Sequence, residues 1–303
     1  VFPRTSLYLA LSLLLSTILA VGVAILHDSM DDTLRDPEQA SRSLRTQVVG
    51  TLPQVKGWRT QLAALALPSS SDGTLAPVKG VSLYEDAIRT LRNSILLGDM
   101  ARDCKTLLFT SAAPSEGKST TAVHLALAHA QQHHKTLLID CDLRRPTVHK
   151  RFGMSNAVGL SDVMMESRDW KSAVLQAEWA PNLGVLPAGT VTRRAADVVG
   201  QMLPNILESA TREYDLVILD APPLLGFPEP LQMAALADGV VIVARAGQTS
   251  RKGVASVLST LQRLRANIVG VVLNEVHKEI SNSYYYYGYY GKYYKHYNPE
   301  KES

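Results

Sequence analysis

Ser111-Ala-Ala-Pro-Ser-Glu-Gly117-Lys118-Ser119-Thr120 sets a loop of small residues, a lysine and two hydroxyls directly behind the apolar run Thr106–Thr110. A loop of this kind between a strand and a helix surrounds a phosphate with backbone N–H groups and the positive end of the helix. Residues Ala112, Ala113, Pro114, Ser115, Glu116, Gly117, Lys118, Ser119 and Thr120 are therefore predicted to bind ATP, with Lys118 reaching the β- and γ-phosphates and the Ser119 hydroxyl on Mg²⁺. The general pattern has Gly where Ala112 stands. By itself Gly-Lys-Ser also fits an ordinary helix start, so the reading depends on acidic partners further along the chain.

Two acidic elements supply them. In Leu137-Leu-Ile-Asp140-Cys-Asp142, carboxylates two apart at a strand end project to one side and can share a metal. Leu216-Val-Ile-Leu-Asp220 is an apolar strand ending in a third carboxylate. Asp142, Asp220 and Ser119 are predicted to hold Mg²⁺. Asp140 is left to accept or electrostatically help the proton of an incoming nucleophile. Gly270-Val-Val-Leu-Asn274 ends a further buried strand in an amide suited to the adenine edge, although an Asn closing a turn is common.

The elements that must position these groups alternate. Strand candidates Thr106–Thr110, Thr136–Ile139, Leu183–Leu186, Leu216–Leu219, Val240–Ala244 and Ile268–Leu273 are interleaved with helix candidates Ser119–Gln132, Ala196–Tyr214 and Arg251–Arg265. Such alternation predicts an α/β fold of the P-loop NTPase type, a mostly parallel sheet with helices on both faces. Before it, Leu83, Ala87, Ile88, Leu91 and Ile95 recur at helical spacing.

Composition bounds the rest. The 303 residues, 46% hydrophobic, suffice for one ordinary domain with appendages. A net charge of +3 with interspersed signs implies no nucleic-acid partner. Cys104 and Cys141 form neither a metal-ligand pair nor a disulfide framework. Ser6–Leu26 carries no charge and matches the roughly 20 residues of a membrane-crossing helix, with Arg35, Arg42 and Arg45 against Arg4 favouring a cytoplasmic C-terminal side. A start at Val1 in place of Met reads as a cut inside a longer protein. The expected organisation is a transmembrane helix over 6–26, a juxtamembrane tether over 27–82, a catalytic domain over 83–277 and a tyrosine-rich tail over 278–303 that is disordered.

That tail holds Tyr284, Tyr285, Tyr286, Tyr287, Tyr289, Tyr290, Tyr293, Tyr294 and Tyr297, nine of the chain's twelve tyrosines, among Gly, Lys and His. A sticky aromatic tail that stacks on sugars or headgroups is the plain alternative; beside an ATP site, the phenols read as phosphate acceptors.

Taken together, Gly117-Lys118-Ser119, Asp140-Cys-Asp142-Leu-Arg144, Asp220-Ala-Pro-Pro223, the stretch from Asp31-Asp32-Thr33 to Gly50-Thr51-Leu52-Pro53 and the tail closely resemble the bacterial tyrosine kinases of capsular and exopolysaccharide systems, the polysaccharide co-polymerases with a fused cytoplasmic kinase. The resemblance covers nearly the whole chain. It implies a tyrosine autokinase at the plasma (inner) membrane, with Asp140–Arg144 as its Walker A′ element and Asp220 as its Walker B carboxylate. It also implies transphosphorylation of tails in a homo-oligomeric ring, regulation of polysaccharide polymerisation and export, partnership with that machinery, and reversal by a tyrosine phosphatase. The family's oligomerisation element Glu-x-x-Arg-x-x-Arg appears as Asp86-Ala-Ile-Arg89-Thr-Leu-Arg92. Two further departures are Glu229-Pro230 for the usual Asp-Ala pair and Arg193-Arg194 for an Asn-Pro. Competing readings are a membrane-tethered partitioning-type ATPase, whose signature lysine is replaced here by Ala113, and a non-catalytic co-polymerase scaffold.

Overall fold

The computed structural model describes residues 5–54, 81–166, 168–192 and 195–276, and the chain divides into two compact units, Val1–Thr33 and Leu34–Ser303. The first unit contains helix α1, Thr5–Met30. Leu9, Leu13, Leu15 and Leu19 on it are each about 70% exposed. Ser12, Ser16 and Thr17 donate their hydroxyls to carbonyls one turn back, which satisfies those hydroxyls within the helix. The predicted span over 6–26 is thus helical. Among the described residues, though, no helix is long and apolar enough to cross a membrane.

The second unit is built on one eight-stranded sheet. Its strands are β1 Val48–Pro53, β2 Thr106–Ser111, β3 Thr136–Asp140, β4 Leu175–Gln176, β5 Leu183–Leu186, β6 Leu216–Asp220, β7 Gly239–Arg245 and β8 Ile268–Val276, in the order β1-β8-β7-β2-β6-β3-β5-β4. Every pairing is parallel except β4 with β5. The central strands are buried on both faces, which is why they read as continuous apolar runs with no polar alternation. Their side chains still part by the period of two. Leu108, Leu137, Ile139, Val217 and Leu219 enter one core, whereas Leu107, Phe109, Leu138, Leu216 and Ile218 enter the other. All six predicted strands and the periodic helices appear within a few residues of their expected limits, with the short α6, Leu160–Glu166, ahead of the predicted long helix α7, Ala195–Glu213.

The tether predicted over 27–82 is different from expectation in its described part. Helix α2, Pro37–Leu44, buries Ala40 and Leu44, and Val48–Pro53 joins β8 as the parallel edge strand, Val48 opposite Val271. Six residues ending in proline are too short for a period to show, and only an edge accepts that proline. The docking is close: a Cβ on Gly270, whose φ is +154°, would stand 2.5 Å from Val49 Cγ1 and 2.7 Å from the Gln47 carbonyl oxygen. Residues 55–80 of the tether and the whole tyrosine-rich tail lie outside the described residues.

Helix α3, Val81–Leu96, covers one face of the sheet beside α4, Lys118–Ala130. Two buried polar contacts join them. The Tyr84 hydroxyl lies 2.8 Å from His124 Nδ1, and Arg92 Nε donates to His129 Nδ1 at 3.1 Å. Burial, with the Arg151 charge adding to it, drives His124 down to about 3, so its imidazole is neutral in the fold.

Two measurements test this account. Gly270→Val should undock β1 and lower stability by about 2 kcal/mol or more in urea unfolding, since backbone and a β-branched neighbour leave no room. His124 binds its proton near pH 6.5 when unfolded and only near pH 3 when folded, so stability falls as pH drops through that window. Between pH 7 and 5 His124 accounts for a loss on the order of 2 kcal/mol, and His124→Asn should flatten that part of the acid-side slope.

Candidate phosphoryl-transfer site

The loop from Ala112 to Gly117 joins the carboxyl end of β2 to the start of α4. From β2 the chain crosses to β3 on one side of the sheet order, whereas from the neighbouring β7 it crosses to β8 on the other, and this reversal opens a crevice beyond the strand ends. Gly117, at φ +95°, ends the loop in the left-handed region and caps α4 with no side chain, leaving the first helical N–H groups to an anion. A Cβ there would fall 1.9 Å from Asn274 Nδ2, so only glycine fits. Ser115 also takes a positive φ, of 65°. Ala112 does not, which explains how alanine replaces the usual glycine.

Lys118, 11% exposed, turns its ammonium into the crevice. It donates to Asp142 Oδ2 at 3.2 Å and Ser119 Oγ at 3.3 Å, and lies 3.8 Å from Asp220 Oδ1. Burial lowers its pKa, but Asp220, Asp142 and Asp140 outweigh that and raise it, so the side chain stays a cation. Asp140 and Asp220 end adjacent strands in register and are both fully buried. Burial and the Asp220 charge push Asp140 up to about 8; burial raises Asp220 as well, against the pull of Lys118.

The two carboxylates are otherwise unlike. Asp140 Oδ1 accepts the Asp142 N–H, and its Oδ2 accepts those of Thr147 at 3.1 Å and Val148 at 3.0 Å, which pins the loop leading into helix α5, Val148–Phe152. Both oxygens of Asp220 are buried and accept no well-formed hydrogen bond, although the Ser119 hydroxyl and Lys118 lie near enough to favour its charged form. Buried, unbonded carboxylate oxygens beside a hydroxyl and a second carboxylate suit a divalent cation with water or phosphate completing its shell. The donors fit Mg²⁺ in that limited sense: among the described residues, no three His, Cys, Asp or Glu side chains form a metal cage alone.

The predicted groups are thus gathered at one strand-end crevice, with one shift of emphasis. Asn274 sits beneath the phosphate loop, where its Nδ2 donates to the Glu116 carbonyl at 3.1 Å. Of the candidate oligomerisation residues, Asp86 and Arg89 lie together on the exposed side of α3 at 3.9 Å, while Arg92 turns inward to His129. The tail tyrosines and Arg193-Arg194 lie outside the described residues.

Three contacts were not readable from sequence. Glu116, 4% exposed, takes the Ala113 N–H on Oε2 at 3.0 Å and the Thr249 hydroxyl on Oε1 at 2.7 Å, and thereby ties the phosphate loop to the segment ahead of helix α9, Arg251–Arg263. Arg144 grips Glu229, 1% exposed, through Nε at 2.8 Å and Nη2 at 2.6 Å, and lies 4.9 Å over the Phe227 ring. That pairing accounts for a glutamate at the start of helix α8, Glu229–Leu236. Arg151 is the third, a cation on α5 close enough to Asp220 and Asp140 for their charges to act on it. Glu116, Arg144 and Glu229 stand in stretches the sequence singles out, but nothing in their spacing pairs them with their partners.

Comparison with known proteins agrees with this geometry. Residues 114–274 match the family model described as an AAA domain. The chain is 36% identical over 215 residues to the tyrosine-protein kinase YwqD of Bacillus subtilis, covering 71% of this chain and 90% of that one. It is 30% identical over 295 residues to the tyrosine-protein kinase etk of Escherichia coli, covering 94% of this chain and 40% of that longer one. Among solved structures, the kinase domain of the Escherichia coli tyrosine kinase ETK superposes with a TM-score of 0.68 at 26% identity, covering 82% of this chain and 97% of that domain. With a phosphate loop, two strand-end carboxylates and this degree of shared sequence and fold, the chain belongs to the bacterial tyrosine-protein kinases.

Proposed function

We propose that this chain transfers the γ-phosphoryl group of ATP to tyrosines of its own 278–303 segment, on copies of itself, and that it acts at a membrane in control of capsule or exopolysaccharide polymerisation and export. The observation that carries the kinase reading is the Lys118 ammonium held between Asp142 and Asp220 at an uncapped helix N-terminus, beside buried carboxylate oxygens of Asp220 that no well-formed hydrogen bond satisfies.

In this reading the loop N–H groups and Lys118 bind the β- and γ-phosphates and offset charge as it develops on them. Ser119, Asp142 and Asp220 would hold Mg²⁺, which supplies neutralisation of the phosphate oxygens. Asn274 serves the nucleotide end of the loop and contributes to the adenine site. A phenol, with a pKa near 10, is a poor nucleophile at neutral pH. Asp140 receives the phenolic proton on the one lone pair its backbone donors leave open; burial beside Asp220 raises its proton affinity, and the charges of Lys118 and Mg²⁺ would keep it ionised until the phenol arrives. The exposed leucines of α1 and its internally bonded hydroxyls support its lying in a bilayer as the expected span. The kinase domain is then cytoplasmic, where ATP is. Asp86 and Arg89 supply the exposed contact for a ring of copies, and a tyrosine phosphatase and the polysaccharide machinery are the remaining partners.

Two variants test the site. Incubation of the chain with ATP and Mg²⁺, followed by mass spectrometry of the tail, should show phosphotyrosine, and Lys118→Met should reduce it at least about a hundredfold. Phosphate release without labelled tyrosine, or labelling unchanged in the variant, overturns the reading. Glu116→Ala should raise KM for ATP about tenfold to a hundredfold with a smaller change in kcat, because it removes two bonds to a buried carboxylate that shapes the loop. Glu116→Gln should recover part of that loss.

A further inference from the structure

A cleft of about 460 Å³ opens behind the Asp142–Thr147 loop, lined by Arg144, Arg145, Thr147, His149, Lys150 and Asn156 among others. It shares that loop with the phosphoryl-transfer site: Asp142 bonds to Lys118, and residues following it line the cleft. No acidic side chain lines it. Arg144 is committed to Glu229, and both polar atoms of the Asn156 amide are committed to Gly189. Arg145 and Lys150 are exposed, and among the described residues neither side chain has an ion pair or hydrogen bond. The Nδ1 atom of His149 is buried with no hydrogen-bond partner. Two uncommitted cations and an unsatisfied imidazole nitrogen around one concavity form a site for a compact anion of high charge.

The chain's own chemistry indicates which anion. Between Tyr284 and Tyr297 the tail contains Lys292, Lys295 and His296 and no acidic residue, so this stretch is cationic when unmodified and the cleft repels it, although Glu279, Glu300 and Glu302 flank it. Each phosphate added to a tyrosine brings about −1.5 to −2 charges and three strong acceptor oxygens, which reverses that balance. We propose that this cleft is a phosphotyrosine-binding site that retains the modified tail of a neighbouring copy and does not hold the unmodified one. The proposal rests on tail phosphorylation as read above. Arg145 and Lys150 bind the phosphate oxygens, and His149 Nδ1 completes the set. Product retention beside the loop that carries Asp142 would keep a modified tail near the site that made it.

Fluorescence anisotropy on the full chain tests this with two labelled synthetic peptides of the Tyr284–Tyr297 sequence, one unmodified and one phosphorylated at Tyr289 and Tyr290. At about 0.15 M salt the phosphopeptide should bind at least about tenfold tighter. Arg145→Ser with Lys150→Ser should remove that preference while ATP binding by the same protein is unchanged. Equal binding of the two peptides, or a preference that survives the double variant, overturns the proposal. So does displacement of the phosphopeptide by ATP with Mg²⁺, which would put it in the phosphate loop, or equal competition by an anionic polysaccharide, which would make the cleft a general anion surface. Autophosphorylation measured in parallel separates the cases: a chain that labels its tail but ignores the phosphopeptide loses this proposal and keeps the kinase reading.

Discussion

Two buried carboxylates on neighbouring strands face one buried ammonium. Asp140 and Asp220 end β3 and β6 in register, and both are raised by burial, while Lys118 at the start of α4 is the cation that opposes their charge. Like charges held so close in a low-dielectric interior are unfavourable unless a cation joins them. Lys118 supplies part of that compensation, and the unbonded oxygens of Asp220 leave the remainder to a divalent ion. The protein thus keeps an electrostatic imbalance at the point where a metal-bound triphosphate would relieve it.

The surroundings keep that imbalance in place. Asp140 accepts three N–H groups from the loop that carries Asp142, so the acid bonded to Lys118 is positioned by its neighbour. Arg144, on the same loop, is fixed to Glu229 on α8 and stacked over Phe227. Across the crevice Glu116 ties the phosphate loop to Thr249. Further along α4, His124 and His129 are held neutral by burial, His129 also by the Arg92 guanidinium bonded to it.

The segment ahead of the kinase core takes part in this arrangement. Leu34 is buried and exchanges backbone hydrogen bonds with Thr249 and Gly247, the same turn that engages Glu116. A continuous set of bonds therefore runs from Leu34 through Thr249 to the phosphate loop. With α2 and β1 docked as well, this stretch is a structural part of the sheet domain and not a passive leash.

The sequence by itself determined the phosphate loop, the three carboxylates, the alternation of strands and helices and the family, because each depends on residue types at short, fixed spacing. Apolar runs such as Leu137–Asp140 and Leu216–Asp220 announce buried parallel strands, and a Gly-Lys-Ser behind a strand announces an anion site, with no long-range information needed. Only the tertiary structure decided that Val48–Pro53 is a strand, since its partner β8 is more than two hundred residues away and its docking depends on Gly270 leaving space for Val49. The same holds for the pairs Glu116–Thr249, Arg144–Glu229 and Arg92–His129, and for the inward turn of Asn274 onto the phosphate loop. Partners that meet across a sheet leave no periodic trace along the chain. Their identity follows from which strand ends the crossovers bring together, and that is settled by the packing of the whole sheet.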